Sequence, residues 1–207
     1  MTIALGTRWF PTGTTLGDAA SVTRELGLGA LAFDVPGPVA AGPRDVLRAV
    51  GVDVASVVER AGPGASSEDG RAFLAGLDAQ AGLASRWRAA WVVVEGGSVG
   101  PRVDRVLREQ ETALRTAGDD GTLAEVLEAR APLRAPAVEQ AARSLHGALR
   151  AGVPLAVRHG GGAADLLAFE ETGWLLDELP QLRLAFDPAR ALRLERLGLG
   201  PGPAAWA

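Results

Sequence analysis

Val153-Pro-Leu-Ala-Val-Arg-His-Gly-Gly-Gly162 and Leu182-Arg-Leu-Ala-Phe-Asp-Pro188, with the run Leu166 to Leu179 between them, decide the fold. The first segment is a short apolar strand that runs out into a polar, glycine-rich turn. In the run that follows, Leu167, Trp174, Leu175 and Leu179 recur at helical spacing with acids between them, which predicts a helix with Trp174 in the core, closed by Pro180. The second segment is again an apolar strand and ends in Asp187-Pro188. Strand, helix and strand within about 40 residues make a βαβ crossover, and a crossover forces its two strands parallel. Polar groups gather where each strand ends, which is where parallel α/β folds put their chemistry.

The same rhythm extends toward the N-terminus. Strands are predicted at Thr2–Trp9, Ala30–Phe33, Val52–Val58 and Trp91–Val94, and helices at Leu16–Leu26 (capped by Thr14-Thr15), Pro43–Val50 and Glu68–Arg88. No strand is legible from Pro101 to Ala151. Helices are expected there at Pro101–Ala117, from the turn Gly118–Gly121 to about Ala131, and at Ala137–Ala151, with breaks at Pro132 and Pro136. A further helix, Ala189–Leu197, follows the last strand, and the Gly/Pro-rich tail from Gly198 reads as the run-in to another. The expectation is α/β: a TIM-barrel-like (β/α) repeat in one domain over residues 1–207. It has about six parallel strands of an incomplete or shortened eight-strand barrel, with a helical insertion between strands four and five. Five strand ends carry an acid or a basic pair: Asp34, Glu59, Glu95, Arg158/His159 and Asp187. In a barrel these ends converge.

Composition narrows the chemistry. The chain has 207 residues, 47% of them hydrophobic, enough for a sizeable core. Its formal charge of −4 is spread along the chain, so no nucleic-acid footprint is expected. There is no cysteine, which excludes disulfides, thiolate metal sites and cysteine nucleophiles. All 21 basic residues are arginine, so a lysine Schiff base and a P-loop are excluded as well. The N-terminus lacks the pattern of a signal peptide, and no apolar run approaches the ~20 residues of a membrane span. A cytoplasmic protein is expected.

Three segments, Trp91-Val-Val-Val-Glu-Gly96, Pro154-Leu-Ala-Val-Arg-His159 and Leu184-Ala-Phe-Asp-Pro188, give the chain a resemblance to the sugar phosphate isomerase/epimerase family, the xylose isomerase-like TIM barrels. The resemblance implies a divalent metal held by a His or Glu after strand four, a Glu after strand five, and the Asp and His of a D-x-x-H pattern after strand six. Asp187 matches the pattern, and Glu95 stands where the family often has His. Arg158 occupies the strand-five Glu position and Arg190 the His position. Two guanidiniums at ligand positions repel a cation, so the divalent metal that the resemblance implies is not expected to bind tightly here, and the residues name no other cofactor. The reaction class implied by the resemblance is proton abstraction next to a carbonyl. Glu95 or His159 is then the base, with Asp187 and Glu59 completing the catalytic set. Arg158 and Arg190 hold the substrate, with Trp9 and Asp34 as further substrate-binding candidates. The alternative is a non-catalytic barrel that binds a small sugar-like or anionic molecule or a partner chain.

A weaker reading rests on Gly96-Gly-Ser-Val-Gly100, which matches the G-x-S-x-G nucleophile elbow, and on His159-Gly-Gly-Gly162, which resembles an HGGG oxyanion turn. It makes the chain a serine α/β-hydrolase acting through Ser98. The order is reversed from that fold, in which HGGG comes first. Gly160 to Gly162 are also candidates for a phosphate cradle, and His146, beside Leu145 and Leu149, reads as a packing or surface residue. Six strands leave two edges, so a homodimer or a complementing chain across the open seam is expected as partner.

Overall fold

The structure, a computed structural model, describes residues 4–6, 10–11, 13–34, 47, 49–51, 53–59, 67–95, 120–162 and 165–206. Six strands, β1 (Ala4–Gly6), β2 (Ala30–Asp34), β3 (Asp53–Glu59), β4 (Trp91–Glu95), β5 (Leu155–Arg158) and β6 (Arg183–Ala185), follow one another in the sheet in chain order. The ladders β1–β2, β2–β3 and β5–β6 are parallel. Among the described residues, α1 (Leu16–Glu25), α2 (Ser67–Trp87), α3 (Asp120–Arg150) and α4 (Phe169–Glu178) lie between strands, and α5 (Pro188–Arg196) follows β6. The α/β repeat with parallel strands is the expected one, with strand ends shifted by a few residues. Residues 47, 49 and 50 of the predicted helix Pro43–Val50 are helical; the predicted helix Pro101–Ala117 lies outside the described residues. Among the described residues no helix is long and apolar enough to cross a membrane.

The chain divides into two compact units. The first takes in residues 1–60 and 76–93. Thr15 caps α1: its Oγ1 accepts from the Asp18 N–H at 3.2 Å and donates to Asp18 Oδ2 at 2.6 Å. Ala19, Ala20 and Thr23 form the buried face of that helix, and Thr23 satisfies its hydroxyl on the Ala19 carbonyl at 2.7 Å. Leu31 and Phe33 of β2 are buried, and Phe33 meets Trp87 edge-to-face at 5.3 Å between centroids. Gly27, the residue that stops α1, has φ +73, which is why glycine follows the helix there.

The second unit takes in residues 61–75 and 94–207. Its core is built from Leu155, Ala156 and Val157 of β5, Leu145 and Ala148 of α3, Leu175 of α4, and Ala191 and Leu194 of α5. Each buried leucine contributes roughly 1.5–3 kcal/mol of hydrophobic stabilisation.

The predicted break in α3 is a correction. Instead of two helices, one helix of 31 residues runs through Pro132 and Pro136. A proline removes one N–H and frees the carbonyl four residues back, here those of Glu128 and Pro132. Glu128, Pro132 and Pro136 are all exposed, so the freed carbonyls lie on residues open to solvent rather than in the core. The next turns are anchored by buried Ala137, Val138, Ala141 and Leu145. Pro136→Ala restores a helical N–H and should stabilise the protein by about 1–3 kcal/mol, read as a rise in thermal midpoint. A fall would mean that the helix does not continue through residue 136.

The predicted helix Leu166–Leu179 is shorter at its start, and Trp174 is not in the core. Leu166 and Leu167 are buried in the connection before α4, where Leu167 takes φ +64, a left-handed conformation that costs a non-glycine residue about 1–2 kcal/mol. Its carbonyl is used twice, by the Gly160 N–H and by Thr172 Oγ1, both at 2.9 Å. The buried face of α4 is Glu171, Thr172 and Leu175. Trp174, one residue off that stripe, is 43% exposed. Glu171 is buried with partners for its charge: Oε2 accepts the Ala168 N–H at 2.8 Å, and Oε1 lies 2.6 Å from Arg134 Nε of α3 in an ion pair.

Candidate functional site

Glu95, Arg158, His159, Asp187 and Arg190 all belong to the second unit, and its fold brings them together. Glu95 ends β4 and Arg158 ends β5; Asp187 and Arg190 start α5, directly after β6. Glu95 stands between the two guanidiniums. Arg158 Nη1 donates to its Oε1 at 3.2 Å, and Arg190 Nη2 donates to both carboxylate oxygens at 3.0 Å. These three side chains are 19–26% exposed, shielded enough for the pairing to be stronger than a surface ion pair.

Asp187 is the N-cap of α5. Its Oδ1 accepts the Ala189 and Arg190 N–H groups at 3.0 and 3.2 Å, and Pro188 sits at the first helical position, where a missing N–H does no harm. Its Oδ2 lies 3.7 Å from Arg190 Nε, and Arg190 Nη1 donates to the His159 carbonyl at 3.2 Å. Arg190 therefore ties β4, β5 and its own helix start to one another. Gly161 lets it lie flat, since a Cβ there would stand 2.9 Å from Arg190 Cγ.

His159 is fully buried. Its Nε2 accepts the Asp187 N–H at 3.1 Å, so the ring proton sits on Nδ1, which is 2.9 Å from the Gly160 carbonyl and donates to it. Both ring nitrogens are thus engaged by backbone groups. Burial, opposed by the backbone bond to Gly160 and the Asp187 charge, holds its pKa below the ordinary histidine value. The unfolded chain therefore takes up this proton first as pH falls. Stability should decline with falling pH below about 6.5, and His159→Gln should flatten that slope in denaturant titrations.

Two rings close on the imidazole, and a third backs one of them. Trp206, on a single 3₁₀ turn (Pro203–Trp206), lies 4.2 Å from it between centroids, Phe186 lies 5.6 Å from it, and Phe169 meets Trp206 edge-on at 4.9 Å. The sequence reading missed Trp206. The available signal was a tryptophan in a Gly/Pro-rich tail, a large apolar ring needing a surface to lie on.

The other predicted positions fare differently. Asp34 and Glu59 end β2 and β3 in the first unit, and their side chains lie outside what the structure describes. Trp9 and Ser98 lie outside the described residues, and His146 is exposed on α3. In the glycine turn, the Gly160 N–H is bound to the Leu167 carbonyl and the Gly161 N–H to Asp165 Oδ2, each at 2.9 Å, so these two amides are not presented to a phosphate.

The divalent metal that such a fold implies does not fit these donors. The oxygens of Glu95 face guanidinium N–H groups, Asp187 Oδ1 caps a helix, and both nitrogens of His159 are bonded to backbone. Among the described residues no group of three or more His, Asp or Glu is arranged to hold an ion. Two carboxylates, two guanidiniums and a neutral imidazole sum to zero charge, which offers a cation nothing.

No protein-family model matches the sequence, and no curated protein matches it. Solved structures do match in fold. A xylose isomerase-like TIM barrel/4-hydroxyphenylpyruvate dioxygenase fusion protein is 13% identical, with a TM-score of 0.62 over 93% of this chain and 27% of its own. An AP endonuclease, family 2, from Brucella melitensis is 12% identical, with a TM-score of 0.62 over 94% of this chain and 71% of its own. A 3-keto-D-glucoside 4-epimerase from E. coli is 14% identical, with a TM-score of 0.57 over 96% and 75%. The chain spans about a quarter of the length of the first and nearly three quarters of the other two. Identities this low show the fold alone, which is that of the xylose isomerase-like TIM barrels.

Proposed function

We propose that this chain, with the xylose isomerase-like fold as its premise, is a sugar isomerase/epimerase-type barrel that binds a small sugar-like or anionic ligand without a divalent metal. The observation that carries the reading is the grip of Arg158 and Arg190 on Glu95 at the ends of β4, β5 and α5. A ligand carboxylate, phosphate or hydroxyl meets forked N–H donors there, with Glu95 to accept from a hydroxyl. As part of this reading the chain works in the cytoplasm.

A second reading keeps proton transfer, and the partial exposure of Glu95 between two cations favours it. Glu95 takes the proton from the carbon next to a carbonyl. The electron pair moves to the carbonyl oxygen, which Arg158 and Arg190 hold as it gains charge. The isomer forms when the former carbonyl carbon takes the proton back from Glu95 while the hydroxyl proton of the first carbon passes to the old carbonyl oxygen; the epimer forms when a solvent proton adds to the opposite face of the first carbon and Glu95 gives its own to solvent. His159, sealed by its backbone bonds, positions Arg190 in either reading.

One experiment separates the two. The protein is incubated with a panel of aldoses, ketoses and their phosphates in D2O, and binding and deuterium wash-in are followed by NMR. Saturable binding without exchange supports the binding reading. Exchange that Glu95→Gln abolishes supports proton transfer. A panel with neither binding nor exchange overturns both.

A further inference from the structure

The segment after α5 runs Gly198-Leu-Gly-Pro-Gly-Pro-Ala-Ala-Trp206. It leaves the helix by a left-handed turn, with Gly198 at φ +65 and the Leu199 N–H bonded to the Leu194 carbonyl at 2.8 Å. It then crosses Phe169 so closely that a Cβ on Gly200 would stand 2.8 Å from the Phe169 Cβ, and it ends by laying Trp206 on His159. Beyond that bond at Leu199, the hydrogen bonds of the segment among the described residues close on itself: Trp206 Nε1 donates to the Pro201 carbonyl at 3.3 Å and the Ala205 N–H to the Gly202 carbonyl at 3.0 Å. What fastens it to the rest of the unit is ring contact with His159, Phe169 and Phe186. A segment with internal hydrogen bonds and only stacking to hold it down can lift as a body without breaking a bond to its seat.

We propose that residues 200–206, hinged at Gly198 and Leu199, form a releasable latch, in which Trp206 seals the imidazole of His159 and its release opens that end of the site to solvent. Beneath the ring, His159 joins the glycine turn to the start of α5, through Nε2 to the Asp187 N–H and through its carbonyl to Arg190 Nη1. The latch thus covers the joint from which Arg190 reaches Glu95. Lifting it exposes a titratable ring beside Asp187 and Arg190, the two charged groups facing His159; among the described residues, the rings against it are those of Phe186 and Trp206.

The chain has 2 histidines, which makes the latch readable by diethyl pyrocarbonate labelling with peptide mass spectrometry. In the wild type, exposed His146 should label and His159 should not. In Trp206→Ala, labelling of His159 should accelerate at least about tenfold, while Trp206→Phe should keep most of the protection. His159 as reactive as His146 in the wild type, or unchanged protection in a folded Trp206→Ala variant, overturns the proposal. If that variant does not fold, Gly200→Val, which forces the strap off Phe169 and leaves the rings intact, must give the same acceleration. Hydrogen exchange on the wild type decides without any variant: the hydrogen-bonded amide of Ala205 and its neighbours Ala204 and Trp206 should exchange at least about tenfold faster than those of 191–196. Equal protection of the two stretches overturns the latch.

Discussion

Glu95→Ala is expected to destabilise the protein by about 2 kcal/mol, the largest loss from any single polar substitution in the site. The carboxylate is the shared counter-charge of Arg158 and Arg190, and its removal leaves two guanidiniums, 19% and 26% exposed, facing each other across its place. A fully buried pair broken in this way costs about 3–5 kcal/mol and a surface pair at most about 1, and this site lies between those limits. Glu95→Gln, which keeps shape and one acceptor, should lose less. Adding Arg158→Ala to Glu95→Ala should recover part of the loss, because one of the stranded charges is gone. Denaturant unfolding of the four proteins reads all of this. A change below about 0.5 kcal/mol for Glu95→Ala would mean that the clamp does not exist in solution.

Much of this was legible in the residues. The alternation of apolar strands with amphipathic helices gave the parallel α/β repeat, and the polar groups after β4, β5 and β6 located the cluster. Arg158 and Arg190, read as intruders at ligand positions, are the residues that hold Glu95. Proline misled because its penalty depends on where the freed carbonyl points, and a sequence does not say that Pro132 and Pro136 face water. Trp174 misled because apolar spacing was read one position wide of the true stripe, whose members include Glu171 and Thr172. Those polar residues are buried because Arg134 of α3 and the nearby Ala168 amide await the first and the nearby Leu167 carbonyl the second, and no local pattern announces the distant Arg134 or the left-handed turn that aims the Leu167 carbonyl. Trp206 was illegible for the same reason, its seat on His159 being 47 residues back along the chain.

The second large effect is a gain. Arg158→Glu together with Arg190→His replaces two cations by a carboxylate and an imidazole, beside Glu95 and Asp187. The double variant frees the oxygens of Glu95 and provides four side chains of the kind divalent ions choose. Its affinity for Mn2+ or Zn2+ should exceed that of the wild type at least about 100-fold, since even supporting residues around a metal change affinity by about 10–100-fold. Each single variant should gain far less, because one guanidinium still sits against Glu95. No gain in a folded double variant would mean that the ends of β4, β5 and α5 do not converge as described.

The central claim is that two arginines hold Glu95 where a metal would otherwise sit. Calorimetric titration of the wild-type chain with Mn2+, Zn2+ and Co2+ tests it most directly. The account predicts no saturable site in the micromolar range, with heats that do not change in Glu95→Gln. One equivalent of tightly bound ion, lost in Glu95→Gln, would contradict it.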